Sequence, residues 1–88
     1  MTDPSLFPPA TERPVGRYMV ARKLGSSPLA PWAILNARHR DQLGRVEWYP
    51  EWRQFVLVAE SRTVVWSSGC LRDVARFMDE IGKGARVG

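Results

Sequence analysis

The chain has 88 residues, 44% of them hydrophobic and 25% charged, with a formal net charge of +4. So short a chain buries only about 60% of its unfolded surface, which restricts it to one domain with a thin stability margin. Its single cysteine excludes an internal disulfide framework, and no apolar run approaches the ~18 residues of a membrane span. Met1–Ala10 is acidic and proline-rich, unlike the basic-then-apolar pattern of a secretion signal, so the expectation is a cytosolic protein. The positive charge is uneven: between Arg13 and Arg62, nine bases face Asp41, Glu47, Glu51 and Glu60. Such a surplus attracts phosphate or an acidic protein surface, and equally keeps a small protein soluble. Eleven of the thirteen bases are arginine, a side chain suited to bidentate recognition.

Residues 1–14 hold four prolines and little periodicity, so they read as a flexible or extended arm. Residues 15–82 read as the domain and 83–88 as a frayed tail. Arg17–Leu24 supports two readings, an edge strand with Tyr18, Val20 and Leu24 on one face or a short helical turn. Gly25–Pro31 is a loop. Trp32–Ala37 (WAILNA) begins the strands and is apolar on both faces. After a polar connection at His39–Gln42, Gly44–Tyr49 alternates, with Val46 and Trp48 on one face and Arg45, Glu47 and Tyr49 on the other. Pro50 then fixes a turn.

Arg53–Glu60 (RQFVLVAE) carries apolar residues on both faces and reads as an interior strand, with Thr63–Trp66 as the next. Ser67 or Ser68 can cap the following helix. Leu71, Val74, Ala75, Phe77, Met78 and Ile81 recur at helical spacing, and Gly82 stands where a helix would stop. The expected fold is therefore α+β: a three- or four-stranded antiparallel β-meander with one C-terminal α-helix packed across one face. In that arrangement Leu71, Val74 and Met78 are buried, while Arg72, Arg76 and Glu80 face water.

Catalytic and ligand-binding patterns are sparse. His39 and Cys70 are the only residues of their kinds and offer the sole Cys–His pair. Cys70, in the first helical turn, equally packs as a small hydrophobe. One histidine and one cysteine do not supply the usual metal-ligand set, and the scattered glycines form no phosphate loop. The expectation is no enzyme activity, no cofactor and no metal.

A partner-binding surface is better supported. Arg45, Tyr49, Trp52 and Arg53 interleave cations and aromatic rings around one hairpin, the residue types enriched at interface hot spots. The same mixture suits base stacking and phosphate neutralisation, although Glu47 and Glu51 interrupt the basic patch. Trp48 and Trp52 also have a purely structural reading as core. The order of strands and helix over Gly44–Ile81, with Trp66 closing a third strand, resembles the DNA-binding domains of plant ethylene-response factors and the arm-binding domains of phage integrases. Those domains lay a three-stranded sheet into the major groove.

The segments LGRVEWYPEWRQFVLV and CLRDVARFMDEI, across Gln42–Ile81, resemble small uncharacterised proteins of bacteriophages and other mobile elements. That resemblance implies a setting where short proteins bind and block a host protein, CRISPR and other defence complexes included. It assigns no site residues. The leading expectation is a non-catalytic module that binds a bacterial host protein. A nucleic-acid partner and a self-associating homodimer remain alternatives.

Overall fold

A computed structural model describes residues 11–62 and 64–85. Five strands follow one another, β1 (Glu12–Val15), β2 (Met19–Lys23), β3 (Trp32–Asn36), β4 (Gln42–Tyr49) and β5 (Gln54–Ala59), and then one helix, α1 (Ser68–Ala85). The sheet is an antiparallel meander in the order β1-β2-β3-β4-β5, so every connection joins spatial neighbours. The α+β class is as expected, with one or two more strands than the pattern indicated.

The additions and shifts have local causes. Glu12–Pro14, expected in the arm, form most of β1; residues 1–10 of that arm lie outside the described residues. Pro14 is tolerated because β1 is an edge strand, where a missing N–H costs little. Arg17–Leu24 contains a strand, but its core face is Met19 and Ala21, while Tyr18 and Leu24 are exposed. β5 is an edge strand, not an interior one. Val64–Trp66 form no strand, because this stretch carries the chain from the end of the sheet to the start of α1. Thr63 lies outside the described residues. Gly82 does not end the helix, which runs on to Ala85, so Lys83–Ala85 of the expected tail belong to the domain.

The core lies between one face of the sheet and α1. Pairing Ala21 with Ile34, Ile34 with Gly44 and Val46 with Leu57 places these residues on the helix side. Val15, Ile34, Val46 and Val74 are fully buried there, each contributing about 1.5–3 kcal/mol of transfer free energy. Trp32 meets Phe77 edge to face, with centroids 5.1 Å apart. Gly44 keeps β4 thin at the centre: a Cβ there would lie 2.7 Å from the Val58 carbonyl oxygen and 3.4 Å from the Trp66 ring.

Ser67 caps α1, its Oγ accepting the N–H of Cys70 at 3.1 Å, the third-residue contact of an N-cap serine. The helix turns Val74 and Phe77 into the core. Arg72, Arg76 and Glu80 face water as expected, and Met78 is half-buried. Leu71, expected in the core, is 46% exposed. The apolar stripe is wider than the sheet can cover, and Leu71 falls on its flank.

Candidate functional site

Among the described residues no helix covers the face of the sheet away from α1. Its central side chains, Ala33 and Leu35, are nevertheless buried. Register explains the cover. Arg22 pairs with Ala33, and Ala33 with Arg45, so two arginine stems flank the small residue. Glu12 then draws Arg22 and Arg40 together, accepting from Arg22 at 2.7 Å and from Arg40 at 2.6 Å. These two hydrogen bonds, Arg40 first, hold the Glu12 carboxyl below its ordinary range. Further along the same face Arg45 Nε lies 3.2 Å from Glu47 Oε1. Three arginines of the open face are thus matched by carboxylates.

The β4–β5 hairpin ends in a four-residue loop, Pro50–Arg53, closed by the Tyr49–Gln54 pair. The Trp52 N–H donates to the Tyr49 carbonyl and the Arg53 N–H to the Pro50 carbonyl, both at 3.2 Å. Arg53 takes a left-handed conformation, φ 52°, which returns the chain to the strand. Two aromatic pairs result, and they separate cleanly. Trp48 and Phe55 meet edge to face at 5.3 Å on the helix side, with Phe55 buried. Tyr49 and Trp52 lie against each other at the tip, centroids 4.6 Å apart and planes inclined by 55°. The Tyr49 hydroxyl donates to Glu51 at 3.2 Å. Trp52 remains 63% exposed.

The four residues expected to form the interface therefore divide. Tyr49 and Trp52 are in contact, and Arg53 adjoins them with its side chain exposed. Arg45 shares the face of Tyr49 but stands four residues back, roughly 13 Å along the strand, with Glu47 as its partner. The pattern of alternation identified the face; it does not report which arginines are already paired.

One basic feature escaped the reading of the sequence. At the other end of the sheet a cavity of about 180 Å³ is lined by Arg17, Tyr18, Asn36, Ala37, Arg38 and His39. The β1–β2 and β3–β4 turns meet there through the Ala37 N–H and the Tyr18 carbonyl, 2.8 Å apart. Only the pairing of β2 with β3 brings these distant residues together, so no local motif announces the cavity.

His39 is exposed in that turn, while Cys70 packs against the core from α1. Among the described residues no three His, Cys, Asp or Glu side chains are grouped to hold a metal ion. Among them, too, no helix is long and apolar enough to cross a membrane. The three-stranded DNA-binding resemblance loses its third strand, since Trp66 lies in the connection to α1. No protein-family model matches the chain, and neither a curated protein nor a solved structure does.

Proposed function

We propose that this chain is a non-catalytic protein-binding module whose anchor is the tip of the β4–β5 hairpin. The observation that carries this reading is Trp52. It is 63% exposed on a short, hydrogen-bonded loop and leans on Tyr49 instead of entering the core. A large ring held in place before contact loses little entropy on binding, the condition for a hot spot. The resemblance to phage and mobile-element proteins makes the partner a bacterial host protein in the cytosol, with a defence complex as the most concrete target. Duplex DNA fits the same surface less well, because Glu12 and Glu47 already occupy the arginines of the open face.

The test is a comparison of variants in a bacterium with an active defence system, scored by phage plating and by capture of the bound host protein. Trp52→Ala should weaken capture by more than ~2 kcal/mol, the loss typical of an anchor, and abolish protection of the phage. Arg45→Ala and Arg53→Ala should do less, with shallow salt dependence. Sub-micromolar, steeply salt-dependent binding of the chain to duplex DNA would overturn this reading.

A further inference from the structure

The two long edges of the molecule are built differently. β1 has four residues, two of them charged and one a proline, the features that discourage strand pairing. β5 has six residues, Gln54–Ala59, with no charge and no proline. The Glu60 N–H donates to the Leu43 carbonyl, so in β5 the even-numbered residues turn their amides to β4. Phe55, Leu57 and Ala59 then turn theirs to the open side. Among the described residues no strand takes them.

The helix repeats this asymmetry. Over β1 its flank is polar, with Glu80 bound to Arg13 at 2.7 Å and Asp73 against Gly16. Over β5 its flank is mixed and, among the described residues, tied down by no ion pair. Ala75, Met78, Asp79 and Gly82 line a cleft of about 230 Å³ with Gln54 and Phe55, and Leu71, one turn earlier on that flank, is 46% exposed. Both layers of the fold end unfinished on the same side.

We infer that this side is a dimer interface, in which β5 pairs antiparallel with β5 of a second copy to continue the sheet. An added peptide strand would satisfy the edge alone, whereas a second copy brings a strand and a helix flank together. Two-fold symmetry perpendicular to the sheet keeps both helices on one face and requires paired residue numbers to sum to an even value. Centring on Leu57 gives a self-complementary register: Gln54 faces Glu60 of the other copy, Phe55 faces Ala59, and Val56 faces Val58. Shifting the centre to Val56 sets Gln54 against Val58 and leaves Glu60 without its amide partner. The hairpin tip stays outside this pairing, so the dimer and the proposed anchor at Trp52 fail independently.

The test is sedimentation equilibrium on the full chain. The expected mass is twice the 10.0 kDa of one chain. Ala59→Pro removes an outward amide and no bond to β4, so it should give a folded monomer. Leu71→Glu, at an exposed helical site, should raise the dimer dissociation constant at least about tenfold and serves if Ala59→Pro fails to fold. The register is tested by two double variants. Val56→Lys with Val58→Glu sets opposite charges across the two-fold and also beside Glu47 and Arg45 of β4, so it should remain dimeric. Val56→Lys with Val58→Lys should dissociate. Trp52→Ala should leave the mass unchanged. A wild-type chain that is monomeric up to about 0.5 mM, or a folded Ala59→Pro variant that still dimerises, would overturn the inference.

Discussion

The β3–β4 and β4–β5 loops solve one backbone problem and are put to opposite uses. The first has five residues, Ala37–Asp41, and the second four, Pro50–Arg53, and each holds an arginine in the left-handed region, φ 66° at Arg40 and 52° at Arg53. That region is uncommon for residues other than glycine. The first loop is fastened to the body of the protein. Asn36 Oδ1 accepts the N–H groups of Arg38 and His39, both at 2.9 Å, and the Arg40 guanidinium reaches Glu12 on β1. The second is closed by its own atoms, Tyr49 against Trp52 and against Glu51. Among the described residues no carboxylate pairs with Arg53. The fastened loop spends its polar groups internally, and the self-closed loop leaves its ring and its cation exposed.

The contrast is sharpest within the second hairpin, where a structural aromatic pair sits next to an exposed one. Phe55→Ala should cost about 3–5 kcal/mol, since it removes a buried ring packed on Trp48. Trp52→Ala, three residues away, should shift stability by less than ~0.5 kcal/mol. Chemical denaturation of the two variants checks both values. Comparable losses would show that the tip is core and remove its claim to be an anchor.

The next effect belongs to the fastened loop. Asn36→Ala leaves two backbone N–H groups without their acceptor and should cost about 1 kcal/mol, as loss of a cap does. At the self-closed loop no side chain plays that part, so Glu51→Ala should be close to neutral in the same melting experiment.

The left-handed arginines give a smaller and more pointed comparison. Glycine relieves the left-handed strain but loses more chain entropy on folding. The balance for Arg53→Gly should be a gain of about 0.5–1 kcal/mol. Arg40→Gly should fall short of that gain, because it also removes the contact with Glu12. Equal gains at both sites would mean that the Arg40 contact contributes nothing.

The frame that carries this contrast is partly legible in the chain, although the contrast itself is not. The strict alternation of Val46, Trp48 against Arg45, Glu47, Tyr49 assigned the two faces of β4, and the two-sided apolar run WAILNA marked a strand without marking its place at the centre of the sheet. Ser67 and Ser68 announced the helix start by their chemistry, and the Cys70 N–H selects Ser67 as the cap. What failed did so where apolar content outran the geometry available. QFVLVA reads as interior, yet it is an edge, and Leu71 belongs to a stripe wider than the surface beneath it. A sequence reports which residues avoid water; it does not report how many neighbours remain to cover them. The pairing of Arg40 with Glu12, 28 positions apart, was illegible for a related reason: it depends on β1, a strand hidden in a proline-containing segment. At the candidate site the tip residues were legible as a group, and the structure alone separated exposed Trp52 from half-buried Trp48.

The smallest effect is also the most specific to the fastened loop. Glu12 accepts hydrogen bonds from Arg40 and Arg22, and both favour its charged form. Its folded-state pKa is therefore depressed below the ordinary value of 4.5. A depressed acid contributes stability that is present above that ordinary value and is lost as pH falls through the folded pKa. Acid should thus release the Arg40 side chain from Glu12. Carbon-detected NMR of the Glu12 carboxyl should find its midpoint below 4.5, and Arg40→Gln should move that midpoint upward. Arg53→Gln should leave it where it was. A wild-type midpoint at or above the ordinary value would mean that Arg40 is not held in solution, and the two loops would then be equally free.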